Sequence, residues 1–515
     1  MTSLSTRTSL DDREALFEEI TLLRGQVQEL QHQLDWFKRQ LFGSKSEKRL
    51  EIDNAHQADL LVDLGVDPPP VDKIPTEKIS YERRKKQRDA NTVNDTGLRF
   101  DDSVPVETIE VSNPELQGIP TDQLEEIGEK LTYRLAQRPG SYVVLKYVRK
   151  VLKRRDTQTI HTAPVPINVL EKSVADVSFL AGMLVDKFLY HLPLYRQHQR
   201  LQQSGIRLSR STLTNLANRA IDLLSPIVDA QLANVLLSRI LAMDETPIKA
   251  GRKQKGKMRQ AYFWPVIGDQ DEIVFIYTAT RAHRCVEEII GDDFTGTLLS
   301  DGYAAYERYA EKRDGVTHAL CWSHARRPFE SALPSETNAA GEALAMIGAL
   351  YRHEDIIREK SLAGEEKLAY RTQHSEPIVR SFWQWCQTQC YRTDLLPKDP
   401  LSKALKYAMD RQAGLQVFLS DPDVPMDTNH LERELRVIPM GRRNWLFCWT
   451  ELGAKQVGII QSLIVTCKLQ GIDPYTYLVD VLQRVGQHPA SKVIVLTPRV
   501  WKETFADNPL RSDLA

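Results

Sequence analysis

Three acidic residues stand where carboxylates could do chemistry together. Asp244 follows the apolar run Arg239-Ile-Leu-Ala-Met243, Asp301 closes the run Thr297-Leu-Leu-Ser300, and Glu432 lies in Asp427-Thr-Asn-His-Leu-Glu-Arg433, shortly after Pro425. Any one of them alone is equally at home as a turn, cap or solvated residue; the set is what points to chemistry. Carboxylates gathered at one place resist burial unless positive charge neutralises them. Hard divalent cations do this through oxygen ligands, so Asp244, Asp301 and Glu432 are expected to hold two metal ions, magnesium with manganese as a possible substitute. Two such ions about 4 Å apart activate an attacking water or 3′-hydroxyl and stabilise the leaving oxygen of a phosphodiester. At about 100° per residue, Asn429, Glu432, Arg433 and Arg436 share one polar face of a helix and Leu431, Leu435 and Ile438 the apolar one, while Glu434 points about 200° away from Glu432. Arg433 and Arg436, with Arg442 and Arg443 in a short turn segment beyond, are expected to meet DNA phosphates, for which the planar guanidinium is suited. The competing reading pairs Arg433 or Arg436 with Glu434 or Asp427 as surface ion pairs. Cys321 and His324 make half a zinc site at best. A packing or hydrogen-bonding role is expected for them, and no zinc.

The elements needed to position these acids are legible around them. Strands are expected at 239–243, 261–267 and 272–277, then a helix over 284–290 and a strand at 297–301. Three strands, a helix and a further strand is the order of a ribonuclease H-like α/β sheet, in which the first acid falls on the first strand and the second at the end of the fourth. The core is therefore expected over 236–330 and 425–470, interrupted by a helical insertion over 331–424 and followed by a C-terminal tail over 471–515. Trp383 and Trp385 in the insertion could stack on a flipped base, though core packing is the better reading; Cys386 and Cys390 are also expected in the core.

Upstream, Leu16, Ile20, Leu23, Val27, Leu30, Leu34, Phe37 and Leu41 trace a heptad seam, so residues 1–50 are expected to form a coiled coil and a homodimer or higher oligomer. A helix docked on its own body is the alternative. Residues 51–100 are polar, with Pro68–Pro70 and a basic cluster at 83–88, and read as a flexible linker. Over 101–165 a basic β-rich region is expected: Lys146, Arg149 and Lys150 interleave with Tyr142, Val144 and Val148, without an acid in the run. Such a strand can lie against a phosphate backbone or serve as an edge protected by its charges. Residues 166–235 read as helical. A helix over 193–203, Gly205, and a second helix capped by Ser209 or Ser211 resemble a helix-turn-helix, from which Arg210, Thr212 and Asn215 could reach phosphates or base edges. Asn218 belongs to the same polar set, and an ordinary helical bundle is the alternative.

Of the 515 residues 42% are hydrophobic and 27% charged, enough for several buried cores and unlike a disordered chain. The formal net charge of −1 gives no global signal of nucleic-acid binding, so any DNA contact must come from local basic clusters. The six cysteines all fall in the second half, no signal peptide is evident and no apolar stretch nears the roughly 20 residues of a membrane span. A cytoplasmic protein without membrane contact is expected.

The stretches Leu41-Phe-Gly-Ser-Lys-Ser-Glu-Lys48, Asp244-Glu-Thr-Pro247, Ser300-Asp-Gly-Tyr303, Cys321-Trp-Ser-His-Ala-Arg-Arg327, Asn429-His-Leu-Glu-Arg433, Gly441-Arg-Arg-Asn-Trp-Leu-Phe447 and Cys467-Lys-Leu-Gln-Gly-Ile-Asp-Pro-Tyr475 resemble, in order, the large transposase of the insertion sequence 66 family. The resemblance implies a DDE-type enzyme with Asp244, Asp301 and Glu432 as its acids. It would hydrolyse a phosphodiester at the element's ends and use the freed 3′-hydroxyl to attack target DNA, possible partners including small accessory proteins of the same element. Family members usually carry a cysteine-rich zinc segment before the helix-turn-helix region, and this chain has no cysteine before Cys285. End recognition then falls on the strand near Arg149 and the helix at Arg210. The rivals are a nuclease of the same fold that cleaves without joining, and a DNA-binding regulator with a dead catalytic domain.

Overall fold

The computed structural model describes residues 98–514 apart from 139, 255, 446 and 447. The heptad seam and nearly all of the expected linker lie outside the described residues.

The basic run Ser141–Arg154 does form a strand, β3, but its surroundings differ from the expectation. It is the centre of a small sheet, between β1 (Val106–Glu110, parallel) and β2 (Leu124–Arg138, antiparallel), with β4 (Ile160–Thr162) joining its far end. It is therefore not an edge strand, and its charges are opposed. Register sets Glu129 beside Lys150 and Glu125 beside Lys153, and the Lys150 ammonium lies 3.3 Å from Glu126. The run itself holds no acid; the acids arrive from the neighbouring strand, which a reading along one segment does not see.

Three helices follow: α1 (Val177–Phe188), α2 (Leu194–Gln203) and α3 (Arg210–Leu236). Ser209 is the cap of α3, its hydroxyl accepting from Thr212 N at 3.0 Å, and Leu213, Leu216 and Ala217 are buried as their spacing requires. Asn218, expected to face outward, is buried with them.

The central sheet is built from β5 (Ile240–Met243), β6 (Thr246–Gln254), β7 (Lys257–Ile267), β8 (Ile273–Thr278), β9 (Gly296–Ser300) and β10 (Val316–Leu320). Its order is β8-β7-β5-β9-β10; β7 runs antiparallel to β5 and β8, whereas β5, β9 and β10 are mutually parallel. Strand β6, absent from the sequence expectation, pairs with β7 off this path. Helices α4 (Arg284–Ile290) and α5 (Ala304–Glu311) make the crossovers to β9 and β10, and α6 (Trp322–Ala332) leaves the last strand. The interruption that follows contains α7 (Thr337–Glu359), α8 (Gly364–Tyr370), α9 (Glu376–Cys390) and α10 (Pro400–Met409), with a π-helical turn at Arg371–Ser375. There the fully buried Arg371 donates to both Glu354 carboxylate oxygens at 2.8 Å and to the carbonyls of Phe418 (2.7 Å) and Val424 (3.1 Å). A buried charge needs such complete pairing. Trp383 is buried against Trp322 and Phe382, and Trp385 donates to Glu342, so the insertion's tryptophans are engaged in packing. Cys386 is buried too, but Cys390 is exposed, contrary to expectation, being one helical turn further along at the end of α9.

The chain returns to the core through α11 (Asn429–Leu435) and α12 (Val437–Trp445). Arg442 and Arg443 thus lie on a helix rather than in a turn. Next comes α13 (Glu451–Leu469), which covers the open edge of the sheet along β8: its Ser462 and Thr466 hydroxyls accept from Phe275 N (2.9 Å) and Ile273 N (3.1 Å). Gly458 lets α13 approach so closely that a Cβ there would sit 2.4 Å from the Phe275 carbonyl oxygen. After α14 (Pro474–Val485) and α15 (Pro498–Thr504) the chain comes back to the small sheet. Tyr147 donates to Asp513 at 2.7 Å, Ser512 to Asp176 at 2.6 Å, and Leu514 completes a separate apolar cluster with Ala136, Val143 and Leu145. Among the described residues, no helix is long and apolar enough to cross a membrane.

Candidate active site

Two adjacent parallel strands, β5 and β9, end on Asp244 and Asp301. Buried apolar residues over 240–243 and at Leu298 and Leu299 fix both strands in the sheet, and the chain leaves the ladder one residue later in each case. The polar residue at the exit is therefore presented at one end of the sheet. Asp301 turns the chain by accepting from Tyr303 N at 2.8 Å, and Asp244 accepts from Glu245 N at 2.7 Å. A third carboxylate joins them: Asp244, Glu245 and Asp301 each offer an oxygen within 4.8 Å of the others. Burial, with the negative charges of Glu245, Asp301 and Glu432 nearby, pushes the Asp244 carboxyl up to about 7. Burial also raises the Glu245 carboxyl. Its two oxygens are held from outside the cluster, one by Arg281 Nε at 2.6 Å and the other by the Tyr306 hydroxyl at 2.6 Å. The donor set is all hard oxygen and its like charges repel, so these residues fit a divalent cation.

Glu432, on α11, is not among the three carboxylates that lie within 4.8 Å of one another; its carboxylate is gripped from α6. Arg327 Nη2 lies 2.9 and 3.0 Å from its two oxygens and His324 Nε2 lies 3.6 Å from one of them. Glu432 still contributes to the field that raises Asp244. Cys321 fixes the start of the same helix: its sulfur accepts from both the backbone N and the hydroxyl of Thr428, each at 3.3 Å. Burial lowers the His324 pKa, which favours the neutral ring. Residues 321, 324 and 327 thus act together on α11, by hydrogen bonds and charge pairing.

The residues expected to meet DNA fall into three sets. On β3, Lys146 is half-buried, Arg149 donates to the Ala163 carbonyl at 3.1 Å, and Lys150 is paired with Glu126. At the start of α3, Arg210 and Asn215 are exposed, Thr212 is half-buried against Ser209, and the Arg210 guanidinium lies 5.9 Å from the Tyr195 ring centre. On α11, on α12 and at the turn between them, Arg433, Arg443 and Arg436 are exposed and make no ion pair among the described residues, while Arg442 donates to the Pro247 carbonyl. The anticipated pairing of Arg433 or Arg436 with Glu434 or Asp427 is not seen; Asp427 instead accepts from Asn429 N at 3.0 Å.

Sequence reasoning missed Glu245, Arg281 and Arg327. Strand alternation sends the neighbour of Asp244 to the opposite face, and only the chain's departure from the ladder at that point brings Glu245 round. Arg327 did carry a signal, since it follows His324 by three residues and so shares its helical face.

Comparison with known proteins gives three family matches and several relatives. The family described as "Transposase IS66 family" matches residues 172–456, "IS66 C-terminal element" matches 462–498, and "Transposase C of IS166 homeodomain" matches 29–109. The uncharacterized protein y4hP of Sinorhizobium fredii is 30% identical over 405 residues, covering 75% of this chain and 73% of its own. The uncharacterized protein y4jD of the same organism is 27% identical over 508 residues, 95% of this chain and 98% of its own.

Proposed function

Because the chain belongs to the IS66 transposase family, we propose that it is a DDE-type DNA transposase whose catalytic acids are Asp244, Asp301 and Glu432. The observation that carries the reading is the meeting of Asp244 and Asp301 at the ends of two adjacent parallel strands, their oxygens within 4.8 Å, with Glu432 delivered from a distant part of the sequence. A ribonuclease H-like core is supported by the strand order β8-β7-β5-β9-β10 and by the antiparallel first three and parallel last two strands.

Two divalent cations, magnesium or manganese, would activate the nucleophile and stabilise the leaving oxygen when bound, in hydrolysis at an element end and again in joining to target DNA. Asp244 and Asp301 would hold them, with Glu245 beside them and Glu432 as the third acid. Arg281 and Tyr306 orient Glu245, and Arg327 and His324 orient Glu432. Arg433, Arg436, Arg442 and Arg443 follow Glu432 on α11 and α12 and would hold the reacting strand by its phosphates. Residues 1–50 would pair protomers as a coiled coil, the start of α3 would contribute to end binding, and the work would be done in the cytoplasm, where the DNA is.

The test is an assay with the purified chain, DNA carrying the element's ends, target DNA and magnesium. Cleavage and joined product are expected, and Asp244→Ala, Asp301→Ala and Glu432→Ala should each abolish both while end binding stays largely intact. Cleavage without joining would leave a nuclease, and binding without either would leave a regulator. Normal joining by any one variant removes that residue from the catalytic set.

A further inference from the structure

Strand β6 begins one residue after Glu245 and turns back into β7, and the outer part of this hairpin leaves the central sheet. Residues Tyr262–Ile267 of β7 pair with β8, whereas Lys257–Ala261 pair only with β6. Beyond that point the sequence Gly251-Arg-Lys-Gln-Lys-Gly-Lys-Met-Arg259 carries Arg252, Lys253, Lys255, Lys257 and Arg259 and no acid. In a chain of formal net charge −1, this is a concentrated positive segment. Arg259 lies 3.0 Å from Glu451. Lys249, Arg252, Lys253 and Lys257 are exposed, and their side chains make no ion pair or hydrogen bond among the described residues.

The base of the hairpin is rigidly held. Cys448 N donates to the Lys249 carbonyl at 2.9 Å, Gly251 N donates to the Cys448 carbonyl at 3.2 Å, and Arg442 donates to the Pro247 carbonyl. The pairing shifts register between Lys249 and Arg252 and again before Gln254. Gly251 at φ +68 lies in the first shift, and such irregularities bend and twist a hairpin. A supported, bent, cationic arm therefore extends the strand that follows two of the clustered carboxylates, with Arg442 of α12 against its root.

We propose that the β6–β7 hairpin is a DNA-gripping arm, which lies along the phosphate backbone of the duplex whose reacting strand enters the acid cluster; this rests on the transposase reading above. Lysine and arginine side chains on such an arm recognise phosphate by charge and not base sequence, so the arm contributes affinity and direction of approach rather than choice of site. Charges on this strand would also guard it against edge-to-edge association, and the two roles give different results.

The experiment compares the parent chain with Arg252→Ala/Lys253→Ala/Lys257→Ala, using fluorescence anisotropy in EDTA with an end-bearing duplex and a random duplex over a range of salt. The triple variant is expected to bind both duplexes at least about tenfold more weakly, and its log–log salt slope to be smaller by about 0.9 for each phosphate that is no longer neutralised. The charge-keeping variant Arg252→Lys/Lys253→Arg/Lys257→Arg should restore both quantities. Unchanged affinity and slope in the triple variant overturn the proposal and leave the transposase reading standing, and so does aggregation with an unchanged slope, the mark of edge protection. Competition by poly-glutamate as effective as by DNA of equal charge overturns it in favour of an acidic polypeptide partner. A parent chain that binds neither duplex overturns both the arm and the DNA reading.

Discussion

A carboxyl group pushed up to about 7 is half protonated near neutrality, and in the folded chain that group is Asp244. Unfolded, it titrates near 4. Between those values the native state binds the extra proton, so the metal-free protein loses stability as pH rises from about 4 to 7. Each unit of such a shift corresponds to about 1.4 kcal/mol. Asp244→Asn, which removes the charge and keeps the shape, should therefore raise the metal-free melting temperature at pH 8 and leave it nearly unchanged at pH 4. Magnesium should stabilise the parent at pH 8 and the variant far less. Melting curves at the two pH values decide this, and equal behaviour of both proteins would mean that the cluster carries no strain. Arg327 is a different case. Its side chain is 53% exposed and that of Glu432 23%, so the pair is worth about 1 kcal/mol or less to the fold. Arg327→Ala should leave the melting curve nearly in place and lower strand cleavage at least about tenfold, because Glu432 is no longer oriented. One nitrogen serves both oxygens here, so Arg327→Lys should retain more cleavage than Arg327→Ala; equal loss in both, or none, would remove the positioning role.

At the level of elements, local pattern was legible wherever burial and period agreed. Strands β5, β8 and β9 are readable from their apolar runs, and α3 from its cap and its buried stripe, Leu213, Leu216 and Ala217. Strand β6 is not, because Pro247 and Gly251 look like breakers; away from β7 the strand is bridged only at Ala250, by Cys448, so the proline breaks no ladder there, and Gly251 sits at a register shift. The surroundings of β3 are invisible for another reason: its acidic partners are supplied by β2 through pairing. Of the site, Asp244, Asp301 and Glu432 stand out in the sequence, but the grip of Arg327 on Glu432 depends on α6 meeting α11, which no local window contains. Arg371 makes the insertion answerable to the same region, since it binds α7 through Glu354 and the carbonyls of Phe418 and Val424 on the path to α11. Removing one partner of a buried pair costs about 3–5 kcal/mol. Arg371→Ala should lower unfolding free energy by that order in urea titrations and speed amide exchange over 417–435; exchange confined to 371–375 would show that the insertion is uncoupled from Glu432.

For the whole molecule, the prediction concerns assembly. The heptad seam over residues 1–50 should make the chain self-associate, and Val27→Lys with Leu34→Lys should break that association, because a charge in an apolar seam costs several kcal/mol unless paired. Sedimentation velocity reads the outcome, and an unchanged oligomer would move the interface elsewhere. Within one chain, the hydrogen bond between Tyr147 and Asp513 spans 366 positions. At a synthesis rate of about 5–20 residues per second, the small sheet waits on the order of tens of seconds for the segment that covers Ala136, Val143 and Leu145. Until then its apolar face is open to chaperones and proteases. A message broken late in the gene would thus yield a polypeptide that keeps Asp244, Asp301 and Glu432 but leaves that apolar face uncovered.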